Sequence, residues 1–163
     1  MLSAFEPDAI VAVPGVTLSI EGPQRCYSLR ARDPALLAAI IGLPVPTKIG
    51  ATQGAIACLG PDEFYAHLPI EIELPDGRGH PVSIVDVSER AIGILVEGDR
   101  AIEVLSAGCP LDLTNFDVGR TTRTIFETVE IIVSRETETR WRVDVWRSFA
   151  PWLWQALSTV ASH

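Results

Sequence analysis

The sequence predicts a mixed helix-and-strand (α+β) domain that contains an internal duplication, and two observations predict it. Short runs that alternate apolar and polar residues are interrupted by three apolar segments of helical length. The second observation is a repeat. The stretch Leu29 to Pro46, LRARDPALLAAIIGLPVP, matches Leu95 to Asp112, LVEGDRAIEVLSAGCPLD, at an offset of 66 residues. At that offset Asp33 falls on Asp99, Gly42 on Gly108, Pro44 on Pro110, and Tyr27 to Leu29 on Gly93 to Leu95. A strand, an Asp cap, a two-turn helix, a Gly stop and a Pro exit thus occur twice. The prediction is one domain over 1–163, with halves at about 15–80 and 81–147 and a C-terminal helix over 150–161.

Each element has a local reason. TLSIE (Thr17 to Glu21) and RCYSLRA (Arg25 to Ala31) alternate and read as strands around a Gly-Pro turn. Asp33-Pro34 opens a helix through ALLAAII, with Asp as N-cap and Pro in the first turn, and Gly42 stops it. VPTKIGATQG is a loop and AIACLG a short buried strand. Phe64 to Leu68 is extended, and IEIEL alternates as a strand before an Asp-Gly turn. VSIVDVS and AIGILVEG are strands joined by a tight Glu-Arg turn. Asp99 caps the helix RAIEVLSA, and Gly108 ends it. TIFETVEIIVSRE and RWRVDVWRSF form a long hairpin before the final helix.

Composition narrows the function. Of 163 residues, 47% are apolar and 21% charged, the profile of a folded globular protein. A net charge of −8 argues against nucleic acid or an anionic membrane as partner. No apolar run approaches the length of a bilayer span. MLSAFEPDAI lacks the basic-then-apolar order of a signal peptide, so a cytoplasmic location is expected. Cys26, Cys58 and Cys109 do not form a CxxC, and His67, His80 and His163 show no zinc spacing. There is no dinucleotide, phosphate-loop or nucleophile-elbow motif. No catalytic, cofactor-binding or metal-binding residue is therefore assigned.

Four features still require a reading. In GCPLDL, Cys109 could be a nucleophile. Under the repeat it falls on Leu43, so it reads as a buried apolar plug beside a helix end, the wrong pole for a thiolate. Asp112 reads as a loop acceptor for backbone N–H groups. Glu71 and Glu73, and Asp62 with Glu63, read as solvated charge, whereas Asp86 would need a partner if its strand is central. In the last helix Leu153, Ala156, Leu157 and Val160 form one stripe, flanked by Trp152 and Trp154. The apolar arc is wide, so the helix is either sunk deeply in its own domain or anchored against another chain. Arg142 and Arg147 neighbour Trp141 and Trp146 in sequence, but alternation puts Arg142 and Trp141 on opposite faces.

The phrases ACLGPDEF, VDVSERAIGILVEGDRAIEVLSAGCPLDL, FDVGRTTRTIFETVEIIVSR and VDVWRSFAPWLWQAL, over roughly Gly54 to Leu157, resemble the gamma subunit family of heterotetrameric sarcosine oxidase. The resemblance implies a duplicated fold akin to the folate-binding domain of aminomethyltransferases. It implies a small non-catalytic subunit of an enzyme that oxidatively demethylates sarcosine, or a related N-methyl amino acid, and passes the one-carbon unit to tetrahydrofolate. Its partners would be alpha, beta and delta subunits, which carry FAD, FMN, NAD, tetrahydrofolate and zinc. Trp152 and Trp154 are then the candidate interface residues. The segment PIEIELPDGRGHPVS departs from the family pattern, which has a longer helical stretch there. A Tyr-Thr-Gly-Glu type of folate motif is absent. The alternative is a stand-alone folate-binding or one-carbon transfer protein.

Overall fold

The structure, a computed structural model, describes Glu6 and residues 9–163. Most of MLSAFEPDAI, read above for a leader, lies outside the described residues. In chain order the elements are β1 (Ile10–Val13), β2 (Val16–Ile20), β3 (Gln24–Ala31), α1 (Pro34–Ile41), β4 (Thr52–Gln53), β5 (Ile56–Cys58) and β6 (Glu63–Pro69). Then come β7 (Val82–Asp86), β8 (Ala91–Glu97), α2 (Ala101–Ser106), β9 (Thr121–Phe126), β10 (Val129–Arg135), β11 (Arg140–Trp146) and α3 (Ala150–Ala161). Every strand pairing among them is antiparallel.

The chain divides into two compact units. One is residues 23–88; the other joins the described residues up to Gly22 to residues 89–163. The first unit holds a five-stranded sheet in the order β4-β5-β6-β3-β7, with Leu37 and Ile41 of α1 packed into its core. The second holds a six-stranded sheet, which read from its β9 edge runs β9-β10-β11-β8-β2-β1. Its core takes Val104 and Leu105 from α2 and Leu153 and Leu157 from α3 against Ile94, Val96 and Val143.

The two sheet orders carry the repeat. β4-β5-β6-β3-β7 and β9-β10-β11-β8-β2 have the same connectivity, apart from the strand that opens each half. Shifted by 66 residues, β2 (Val16–Ile20) lands on the span of β7 (Val82–Asp86). Yet β2 pairs with β8, and β7 pairs with β3. Each opening strand lies in the sheet built from the other half. The duplication thus governs the elements, while the compact units cut the chain at 22/23 and 88/89.

Several local expectations are corrected. β2 and β3 are not a hairpin around Gly22-Pro23, because β2 has both edges taken by β1 and β8. For the same reason no hairpin forms across Glu89-Arg90. IEIEL is not a strand. The β6 ladder ends at Gln24↔Pro69, where β3 begins, so residues 70–74 have no partner strand. Arg25 instead donates to the Ile70 carbonyl at 3.0 and 3.2 Å, and Tyr27 Oη accepts from the Leu74 amide at 3.0 Å. The long hairpin is a three-stranded meander, because Glu127 takes a left-handed φ of 56° and turns the chain between Phe126 and Val129. β1 pairs with β2 across a Pro14-Gly15 turn, and the sequence reading missed it.

The two helix ends also differ. Asp33 caps α1 as expected, its carboxylate accepting from the amides of Ala35 and Leu36 at 3.0 and 3.3 Å. Asp99 does not cap α2. The Arg100 amide donates to the Gly15 carbonyl at 2.9 Å, and Arg100, not Asp99, sits at the cap position. Gly98 permits this, because a Cβ there would lie 2.2 Å from the Gly15 oxygen.

Candidate functional site

GCPLDL begins where α2 ends. The amides of Gly108 and Cys109 both donate to the Leu105 carbonyl, at 3.4 and 3.1 Å. Gly42 adopts the left-handed conformation of a helix stop, at φ 72°, but Gly108 does not. Gly108 is needed for space: a Cβ would stand 2.7 Å from two ring atoms of Phe126. Cys109 is 7% exposed and belongs to the apolar core of its unit. Its Sγ lies 4.0 Å from Thr124 Oγ1. A thiol buried in an apolar core, with no basic side chain bonded to it among the described residues, fits packing, not nucleophilic attack. Asp112 Oδ2 accepts from the Asn115 side-chain amide at 2.6 Å, so its hydrogen bond goes to a side chain rather than to the backbone. The three cysteines are free thiols.

Asp86 lies on an edge strand, not a central one, and its side chain is half exposed. It nevertheless has partners: Ser88 N and Oγ donate at 2.9 and 2.5 Å, and Arg25 Nη1 at 3.1 Å. Partial burial pushes this carboxyl up, but the Ser88 bonds and the Arg25 guanidinium outweigh it and hold it below the usual range. Glu73 also reaches Arg25, at 3.7 Å. Asp62 and Glu63 are half-buried rather than fully solvated, and both pair with Arg30 at 3.7 Å. Asp62 and Arg30 edge an open groove of about 600 Å³ that also touches Arg32, Asp33 and His80, a groove the sequence reading did not find. Asp33 is committed to the helix cap and Arg30 to its two carboxylates, so most of the groove's charge is already balanced.

Asp144 and Arg142, on one face of β11, form a buried ion pair at 3.0 Å, with Asp144 only 4% exposed. Burial disfavours the Arg142 charge, but Asp144, Glu21 and Glu136 more than compensate and raise its pKa. The sequence reading did not single out Asp144. The cation–π partners are also not the sequence neighbours. Arg135 lies over Trp141 at 5.0 Å, and Arg90 over Trp146 at 5.7 Å.

The final helix separates its two tryptophans. Trp154 is 8% exposed and sits in the core with Leu153 and Leu157, so it is withdrawn as an interface candidate. Trp152, one position off the buried stripe on the other side, is 41% exposed and meets Phe126 edge-on with ring centroids 6.5 Å apart. Just before it, Trp146 and Phe149 are also exposed, at 40% and 48%. Three large aromatic rings thus stand in solvent within Trp146 to Trp152.

The gamma subunit family of sarcosine oxidase matches this chain over residues 30–163. The sarcosine oxidase gamma subunit of Corynebacterium sp. strain U-96 is 31% identical over 140 residues, covering 76% of this chain and 68% of its own length. That of Corynebacterium sp. strain P-1 is 31% identical over 145 residues, covering 79% and 71%. Among solved structures, heterotetrameric sarcosine oxidase from Corynebacterium sp. U-96, in complex with pyrrole 2-carboxylate, contains a similar chain. It matches at a TM-score of 0.85 and 28% identity, over 94% of this chain and 87% of that one. Glycine cleavage system aminomethyltransferase T from Bartonella henselae matches at a TM-score of 0.68 and 12% identity, over 88% of this chain and 45% of that one, a likeness of fold alone. The chain belongs to the sarcosine oxidase gamma subunit family.

Proposed function

We propose that the chain is a non-catalytic assembly subunit of a sarcosine-oxidase-type flavoenzyme. Its partners are alpha, beta and delta subunits in the cytoplasm. The complex oxidatively demethylates sarcosine or a related N-methyl amino acid and delivers the one-carbon unit to tetrahydrofolate. FAD, FMN, NAD, tetrahydrofolate and zinc reside in those partners. The observation that carries this reading is the near full-length match to a chain of the heterotetrameric enzyme, 94% of this chain at a TM-score of 0.85. The side chains that could have supplied chemistry favour it too: Cys109 packs a core, and Asp86 and Asp144 each hold an arginine. Trp152 is an exposed anchor for such a role.

Co-expression with the host's other three subunits tests this reading. With the chain present, a flavin-containing complex that oxidises sarcosine assembles; without it, assembly or yield collapses. A complex that assembles and turns over equally well without the chain refutes the role. Calorimetry with tetrahydrofolate covers the alternative: micromolar binding by the isolated chain would favour a stand-alone folate protein.

A further inference from the structure

The run from Trp146 to Trp152 is unlike the rest of this acidic chain. Trp146, Arg147, Ser148, Phe149, Pro151 and Trp152 are all exposed, and only Ala150 among them is buried. From Val145 to His163 there is no acidic residue, although the chain carries 21 in total. Two arginines flank the aromatics. Arg147 Nε donates to the Glu89 carbonyl at 2.7 Å, and Arg90 stacks over Trp146. Among the described residues neither guanidinium is paired with a carboxylate. The strip is therefore aromatic with a cationic edge, on a molecule of net charge −8. Exposed aromatic and arginine side chains are the types that interface centres favour.

We propose that this strip is the docking surface for another subunit of the complex, one that presents an apolar pocket rimmed by carboxylates. The inference rests on the assembly role proposed above. The occupant follows from charge. An acidic rim would pair with Arg90 and Arg147 while the pocket takes Phe149 and Trp152. A symmetric contact between two copies would instead bring two cationic edges together.

The test is assembly of variant chains with the host's other three subunits, measured as an apparent dissociation constant. Phe149→Glu combined with Trp152→Glu should weaken assembly by about 30-fold or more, the scale of losing central anchors. Arg147→Glu keeps every aromatic and should weaken it by about tenfold, with the difference shrinking at high salt. Ile49→Glu, at a site 56% exposed in the other compact unit, should leave assembly unchanged. Thermal melts of the isolated variants separate lost docking from lost stability, because Trp152 also meets Phe126 edge-on, whereas Arg147→Glu and Ile49→Glu touch no core ring. Three results would overturn the proposal: tight assembly by the Phe149/Trp152 variant, equal loss with Ile49→Glu, or a wild-type homodimer that the double variant dissolves. If the wild-type chain itself fails to join the other subunits, it is the assembly role that falls.

Discussion

Replacing Gly108 by alanine separates two glycines that occupy the same place in the repeat. At Gly108 the added Cβ would meet Phe126 Cδ1 and Cε1 at 2.7 Å and Cζ at 2.8 Å. Ordinary contact starts near 3.4 Å, so the ring must retreat by several tenths of an ångström. Phe126 is 1% exposed and braced by the core and by Trp152, so it has little room. Overpacking of this kind costs about 1–3 kcal/mol, and the lower unfolded-state entropy of alanine returns about 0.4–1 kcal/mol. The expected net loss is about 1–2 kcal/mol. At Gly42 nothing lies within 4 Å, and the cost is the left-handed φ of 72°, about 1 kcal/mol. Urea unfolding of six proteins, the wild type, the three single variants and each glycine variant combined with Phe126→Leu, reads both mechanisms. Phe126→Leu should shrink the cost of Gly108→Ala by at least half, and should leave that of Gly42→Ala untouched. A Gly108→Ala loss below about 0.5 kcal/mol, or one unaffected by Phe126→Leu, would refute the steric account.

Other perturbations follow from the same geometry. Asp144→Ala strands the buried Arg142 charge and should cost about 3 kcal/mol in urea unfolding, the low end for a broken buried pair because Glu136 and Glu21 remain nearby. Glu127→Gly relieves a left-handed non-glycine turn and should raise stability by about 1 kcal/mol in the same assay. Asp86 has a depressed carboxyl pKa, so its stabilisation is complete above the ordinary aspartate range and fades as pH falls through the folded value. The stability gap between wild type and Asp86→Asn should accordingly narrow in acid melts and stay constant from pH 6 to 8. Cys109→Ala should leave turnover of the assembled enzyme within a few-fold; loss of flavin turnover with assembly intact would show that the thiol takes part in chemistry.

What could be read from the sequence was local or periodic. The 66-residue echo was visible because Asp33, Gly42 and Pro44 recur in register, and α1 and α2 lie at its two positions; the matching sheet orders were read only from the structure. Strand exchange was not visible. Which sheet β2 or β7 joins is decided by pairing with residues far along the chain, and no local pattern records it. Identical letters also hid different work. Asp33 caps a helix but Asp99 does not, because the Gly15 carbonyl already takes the Arg100 amide. Gly42 supplies a backbone angle and Gly108 supplies space. The turn at Glu127 gave no signal, since glutamate rarely adopts positive φ. At the candidate surface, helical spacing correctly placed both tryptophans beside the buried stripe. Only packing could show that Trp154 is absorbed by the core while Trp152 stays outside, next to exposed Trp146 and Phe149.

Native mass spectrometry of the enzyme, isolated from its host through a tag on one of the other subunits, tests the subunit role most directly. The expected result is an intact flavoprotein assembly that contains this 17.7 kDa chain and releases it on activation. An active flavoprotein that lacks it, with the chain found only free in the same extract, would contradict the account.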